Sequence, residues 1–366
     1  MPIPCCRIRL GGAAPHLSQI AAGFSLLEQQ GLLRIHCEGI APFRGKGIFE
    51  HCIILEATFE DGSVLVYDTA DGYEDILRPD VFDEQLDRVT IYYKRSFDPA
   101  FLNGKRNNRK MRPLGLNYAV TCRGNFMERF EPRLGNLPRS GLTAEEFISH
   151  NSYPEYKGLF LARLWSPENI KGRFIRTMHP YLSEEEAEEI AARNIEAVER
   201  MNQLRIEVIR ACREAFGDQF YGGLEDTFFA QRCAPDLVLP VAETRRNVFL
   251  QRLKENYVCL ANEGLHGSIG WKLAEYTAAG RAILTNKLQY DLPGAFRFGN
   301  NYALYESAED CVLRLGELLN NPPRIHRMEA ANFAYHNMYV RPDAMILYSL
   351  QNALPELFPF GEQNAE

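Results

Sequence analysis

Along this chain, short β-rich apolar runs alternate with stretches whose apolar residues recur at helical spacing, and the alternation occurs twice. In the first half, "CRIRL" reads as a strand. The glycine turn "GGAAPH" then leads into "LSQIAAGFSLLEQQG", where Ile20, Phe24 and Leu27 share one helix face. "CIILEATFEDGSVLVYD" predicts a hairpin turning at Asp61-Gly62, and "RVTIYYKRS" predicts a further strand. A polar stretch bearing Pro and Gly follows "PLGLNYAV", and the boundary falls near "ISHNSYPEYK". The second series opens with the strand "GLFLARLW". It continues with a long acidic helix capped by Ser183, whose apolar stripe runs through Ile206, Ile209 and Ala215. "QFYGGL", "DLVLP", "YVCLAN", "RAILTN" and "NYALYE" are short strand candidates, and "SAEDCVLRLGELLNNPP" is a helix with a capping box at Ser307 and Asp310. Two more helical stretches follow. The last starts at Arg341-Pro342-Asp343 and puts Ile346, Leu350 and Leu354 on one stripe.

Strands alternating with helices predict an α/β fold built on mainly parallel sheets, once in residues 1–152 and again in 153–342, with 343–366 as a closing helix. The length of 366 residues fits two domains better than one.

Composition narrows the function classes. A net charge of -7 argues against nucleic acid as a partner, because phosphate backbones are held by clustered Lys and Arg. The nine cysteines form no CxxC pair and no Cys/His metal spacing, and several lie in apolar runs such as "YVCLAN". They read as reduced core residues of a cytoplasmic protein. No apolar leader opens "MPIPCCRIRLGG", and no run of about 18 apolar residues suggests a membrane span. Contact with a membrane surface stays open.

The chemistry concentrates in "NEGLHGSIGWKLAEYTAAGRAILTN". With Ser268 as cap, Ser268, Lys272, Glu275 and Ala279 would line one helix stripe, while Ile269, Leu273 and Tyr276 would pack on a sheet. The loop "EGLHGS" would present backbone N–H groups at the positive end of the helix dipole, suited to phosphate, with Lys272 adding a full charge. Glu275 would then stand where a ribose diol could donate to it.

At these residues the chain resembles the C-terminal domain of GT-B glycosyltransferases, in particular the group 1 glycosyl transferases and their spore-maturation-protein-like branch. The likeness is clearest in "HGSIGWKLAEYTAAGRAIL", "NYALYESAEDCVLRLGELL" and "YVRPDAMIL". It implies two Rossmann-like domains facing a central cleft, with a nucleotide-sugar donor on the C-terminal domain and a carbohydrate, lipid-linked or protein acceptor on the N-terminal one. It also implies that Glu275 binds the donor ribose and that the final helix crosses back to the N-terminal domain. "ARLWSPENIKG" is similar to the segment that offers an arginine and often a lysine to the donor diphosphate, matched by Arg163 and more loosely by Lys171. Related enzymes with a two-glutamate motif carry an earlier acid where this chain has Gly267, so His266 or Ser268 would take over that contact.

His16 and Asp71 are the candidate general bases of the N-terminal half, although Asp68 and Asp71 in "VYDTADGYED" also suit a turn, and Lys94 and Arg95 suit either solvent or a cleft. No convincing DxD motif is present, so the expectation is sugar transfer without a metal and without a cofactor, the nucleotide sugar being a substrate. The other readings are a catalytically silent subunit of the same fold that binds sugar nucleotide or a partner protein, a phosphorylase or epimerase, and an NAD-dependent oxidoreductase. The last lacks its fingerprint, since "GGAAPH" is not G-x-G-x-x-G.

Overall fold

The computed structural model describes residues 3–40, 53–73, 79–103, 107–133, 157–178 and 183–360, which form two compact units. Unit 1 comprises Met1–Glu146, Tyr290–Ala295 and Tyr335–Glu366, and unit 2 comprises Phe147–Gln289 and Phe296–Ala334. The boundary expected at 152 lies outside the described residues. Tyr290–Ala295 and Tyr335–Pro342, expected in the second domain, belong to unit 1. Asp291 N–H donates to the Phe97 carbonyl at 2.9 Å, Tyr335 donates to the Pro293 carbonyl at 2.8 Å, and Gln19 donates to the Val340 carbonyl at 2.7 Å.

Unit 1 carries a six-stranded sheet made of β1 (Cys5–Leu10), β2 (Arg34–Ile40), β3 (Ile54–Phe59), β4 (Val64–Asp68), β5 (Ile91–Lys94) and β6 (Met111–Pro113), in the order β2-β1-β3-β4-β5-β6. β3 pairs antiparallel with both β1 and β4, and the other pairings are parallel. Five strands therefore point the same way, and the loops after β1, β4 and β5 emerge at one edge. α1 (Ser18–Gln29) follows β1, and α2 (Pro79–Asp87) joins β4 to β5.

Unit 2 has a wholly parallel five-stranded sheet of β7 (Gly158–Ala162), β8 (Phe220–Leu224), β9 (Val258–Leu260), β10 (Ala282–Thr285) and β11 (Tyr302–Leu304), in the order β11-β10-β9-β7-β8. β7, β9 and β10 are buried at every position, as expected of strands covered on both faces. The helices are α3 (Pro167–Met178), α4 (Glu184–Phe216), α5 (Phe228–Cys233), α6 (Arg246–Glu255), α7 (Trp271–Ala278), α8 (Ala308–Leu319) and α9 (Pro322–Tyr335). Ser183 and Glu186 form the capping box of α4. The buried stripe of α4 runs through Ile206, Ile209 and Cys212, whereas Ala215 is exposed and its neighbour Phe216 packs on the core in the last turn. "DLVLP" forms a 3-10 turn and one isolated bridge from Val238 to Leu224 rather than a strand. No described helix is long and apolar enough to cross a membrane. The fold is α/β, with Rossmann-like parallel elements.

α10 (Pro342–Ala353) packs on α1 within unit 1. Ile346, Leu350, Leu354 and Phe358 join Ile8, Leu10, Ile20 and Phe24 in one core. Tyr67 and Tyr93 each bond Ser349, at its hydroxyl and its carbonyl, at 2.7 and 2.6 Å. The helices approach closely because Gly23 has no side chain: a Cβ there would lie 2.2 Å from the Pro342 carbonyl oxygen and 2.4 Å from Ile346 Cγ1. Gly23→Ala is therefore expected to destabilise unit 1 by roughly 1 to 3 kcal/mol, the scale of overpacking. Urea unfolding followed by tryptophan-independent far-UV circular dichroism measures it, and an unchanged midpoint would show that the helices part at no cost.

Candidate functional site

The strand order of unit 2 reverses between β7 and β9, with β8 on one side and β10 and β11 on the other. In open parallel sheets, the crevice at the carboxyl ends of the strands at such a reversal is where ligands enter. Here it is bordered by Arg163 after β7, by the loop from Ala261 to Gly270 after β9, and by α7.

Two buried cations stand beneath this point. Arg205, on the inner face of α4, is 8% exposed. It donates to the Arg163 carbonyl at 2.6 Å, to the Glu263 carbonyl at 3.0 Å and to Asn262 Oδ1 at 3.0 Å. One guanidinium thus pins the end of β7 to the loop after β9. Lys272, in the first turn of α7, donates its Nζ to the Leu161 carbonyl and lies 5.9 Å from the centre of the Phe160 ring. Neither forms an ion pair with a described carboxylate. Burial pushes Arg205 down to about 10, and burial together with the Arg205 charge pushes Lys272 down to about 8. Their hydrogen bonds go only to neutral oxygens, while Glu263 acts on Arg205, and Glu275 and Glu225 act on Lys272, through space alone.

The loop after β9 differs from the expected capped helix. His266 sits at φ 57 and Gly267 at φ 65, two successive left-handed residues, and His266 is the one non-glycine with positive φ among the described residues. Such a conformation is sparsely populated outside glycine and costs of order 1 to 3 kcal/mol. The double turn delays the helix to Trp271, whose N-cap is Gly270 with no side-chain cap. Ser268 is therefore not the cap and not on the helix. It is extended and 3% exposed, its carbonyl accepts from Gly264 N–H at 2.7 Å, and it braces the loop from within. Lys272 and Glu275 remain together on one face of α7, without the Ser268 that sequence spacing put beside them.

Glu275 is 2% exposed and pairs with Arg246, the first residue of α6. Burial raises its carboxyl above the usual range, while Arg246 and then Lys272 pull against that. A Cβ at Gly267 would fall 2.3 Å from Gln289 Oε1, so the end of that glutamine side chain would have to move, and the φ of 65 already disfavours a side chain there. Gln289 in turn donates to Glu263 Oε2 at 3.0 Å, so an amide and an acid from elsewhere occupy the neighbourhood of that glycine. Arg163 is half exposed, 5.0 Å from the centre of the Trp165 ring and 3.8 Å from Glu225 Oε2. Trp165 is fixed by Asn202, which accepts from its N–H at 3.0 Å and donates to its carbonyl at 2.7 Å. Lys171 is exposed on α3.

The structure thus gathers Arg163, His266, Gly267, Lys272 and Glu275 at one edge of the unit 2 sheet. His16 and Asp71 belong to unit 1, in the loops after β1 and β4 at the carboxyl edge of its sheet. The His16 carbonyl accepts from Asn117 at 3.1 Å. Asp71 pairs with Arg95 at 3.0 Å. Asp68 turns the chain by accepting from Ala70 N–H at 2.7 Å, and it also pairs with buried Lys94 at 3.1 Å and accepts from Tyr92 at 2.6 Å. Arg205, Arg246 and Asn262 were missed by the reading of the sequence. Arg246 had a signal, because an arginine in the first turn of a helix opposes the dipole.

No protein-family model matches this chain, and no curated protein matches it. Solved structures do, at low identity. The chain is similar to a putative UDP-N-acetylglucosamine 2-epimerase from Listeria monocytogenes, at 10% identity over 95% of this chain and 96% of that one, with a TM-score of 0.44. Alr3699/HepE of Anabaena in complex with UDP and glucose matches at 12% identity over 93% and 96%, with a TM-score of 0.41. The C-terminal domain of LpcC, a glycosyl transferase group 1 family protein of Francisella tularensis, matches at 11% identity over 54% of this chain and 93% of that domain, with a TM-score of 0.33. Likenesses this distant leave the chemistry to the residues themselves.

If Lys272 is held for a ligand rather than for the fold, removing its charge relieves a burial penalty. Lys272→Met is expected to stabilise the empty protein at pH 7 by about 1 to 3 kcal/mol. The pH sign is fixed as well. Between about 8 and the ordinary lysine value near 10.5 the unfolded chain holds a proton that the folded protein lacks, so the unaltered protein gains stability as pH rises through that window. Urea midpoints at pH 7 and pH 10 for both proteins measure it, and the gap between them should narrow at the higher pH.

Proposed function

We propose that this chain is a metal-independent glycosyltransferase of the GT-B type, which holds a nucleotide-sugar donor on unit 2 and passes its sugar to an acceptor held by unit 1. One observation carries the reading: Arg205 and Lys272 are buried cations with only neutral carbonyl and amide partners, at the strand-order reversal of a parallel sheet. A diphosphate there would bring negative charge into direct contact with them. The dipole at the start of α7 and the half-exposed Arg163 add to the same field. Lys272 and Glu275 lie one turn apart on α7, which would let phosphate and ribose of one nucleotide meet the same helix.

In the proposed transfer, an acceptor hydroxyl oxygen forms a bond to the anomeric carbon while the bond from that carbon to the diphosphate oxygen breaks. The electron pair leaves with the phosphate, where the cations stabilise it. The acceptor proton goes to the departing phosphate if configuration is retained. It goes to His16 or Asp71 if configuration is inverted, and Asp71 must then release Arg95.

A silent, sugar-nucleotide-binding subunit is the second reading, favoured by Gly267. The acid that related enzymes carry at this place is absent, and Gln289 fills the space. Transfer or donor hydrolysis separates the two.

Three measurements test the proposal. Titration of UDP, ADP and GDP should find at least one ligand, with Glu275→Gln weakening it by about 1 to 3 kcal/mol as a charged hydrogen bond is lost. Affinity should fall as pH rises through 8, when Lys272 sheds its proton, and Lys272→Met should abolish that slope. Transfer should survive EDTA, and a loss restored by added metal would overturn the metal-independent mechanism.

A further inference from the structure

Arg246 occupies a position that helix physics disfavours. It is the first residue of α6, behind Arg245 as N-cap, and that first turn contains no acid and no side-chain cap. A cation there opposes the helix dipole. Its guanidinium nevertheless lies 5.7 Å from the centre of the Phe249 ring and reaches across to Glu275 Oε1 on α7. Glu275 makes no other hydrogen bond with the described residues, and Oε2 remains available. The charged groups that act on this carboxylate are Arg246 from α6 and Lys272 from its own helix.

We propose that Arg246 is a positioning residue for ribose recognition: by engaging Oε1 it holds the buried Glu275 as a carboxylate and leaves Oε2 to accept from the vicinal hydroxyls of a nucleotide. The proposal rests on the donor reading above. A carboxylic acid buried to this degree tends to take up a proton, and a protonated carboxyl loses acceptor capacity toward a diol. Burial is the largest influence on Glu275, and Arg246 is the largest one opposing it. Lys272 acts on the same carboxylate but makes its hydrogen bond to the Leu161 carbonyl and none to Glu275, so the contact at Oε1 is that of Arg246. A purely structural Arg246 would tie α6 to α7 and leave ribose selectivity alone.

The experiment compares a nucleoside diphosphate with its 2′,3′-dideoxy analogue by calorimetry from pH 5.5 to pH 8.5. It uses whichever of UDP, ADP and GDP the unaltered protein binds. The unaltered protein should prefer the ribose form about tenfold or more, within the range of a charged hydrogen bond. In Arg246→Met the pH at which half of that preference is lost should move upward by at least about one unit, the scale on which a contacting opposite charge acts on a carboxyl. Arg246→Lys should restore most of it, and Arg246→Gln gives the same comparison if the methionine variant does not fold. An unmoved pH profile in the variants, with ribose preference intact in the unaltered protein, overturns the role of Arg246 alone. Equal binding of the ribose and dideoxy forms by the unaltered protein overturns the role of Glu275, and binding of none of the three overturns the donor reading itself.

Discussion

Unit 2 is organised around Arg205. A guanidinium that leaves water for a protein interior loses several kcal/mol of hydration even after relaxation, and Arg205 recovers part of that from three neutral acceptors on two different segments. Those acceptors are the carbonyl just past β7 and two groups at the start of the loop after β9, so the bond geometry sets the spacing of the two strand ends at the switch point. Lys272 then binds the carbonyl of Leu161, two residues before Arg163, and the two cations raise each other's burden. Removing Arg205 would take its hydrogen bonds from two carbonyls and the Asn262 amide oxygen, and the loop bearing His266 and Gly267 would lose one of its anchors.

Much of this fold was legible because apolar runs of strand length stand between helical stretches. "GLFLARLW", "YVCLAN" and "RAILTN" became the buried strands β7, β9 and β10, and the hairpin turn at Asp61-Gly62 stands where its residues put it. β2 escaped because "RIHCEGI" is an edge strand whose positions alternate between exposed and half-buried, and β6 because it has three residues. The site was legible in part. Lys272 and Glu275 share a helix face as spacing required, while the cap did not fall on Ser268, because left-handed His266 and Gly267 spend two residues on a turn that composition does not reveal. Arg205 hid in a helix rich in charged residues. The clue lay in its register, since Val198, Met201, Asn202, Arg205, Ile209 and Cys212 form one buried stripe and a polar residue in such a stripe needs a partner.

The two units solve the same electrostatic problem in opposite ways. Each presents buried cations at the carboxyl edge of its sheet. In unit 1 they are closed off: Lys94 meets Asp68 at 3.1 Å and the Ala70 carbonyl at 2.8 Å, Tyr92 completes Asp68 at 2.6 Å, and Arg95 meets Asp71 at 3.0 Å. Each positive charge there has a carboxylate, and the cluster is neutral without a ligand. An anion brought to that edge would have to displace an internal carboxylate before it gained anything. In unit 2, Arg205 and Lys272 are hydrogen-bonded to dipoles, and Glu263, Glu275 and Glu225 act on them only through space, so an anion there displaces no carboxylate from a direct bond. On the proposed reading this asymmetry sorts the substrates by charge. The diphosphate belongs to unit 2, and the edge of unit 1, already neutralised from within, suits a hydroxyl-bearing acceptor that brings no charge of its own to the reacting end.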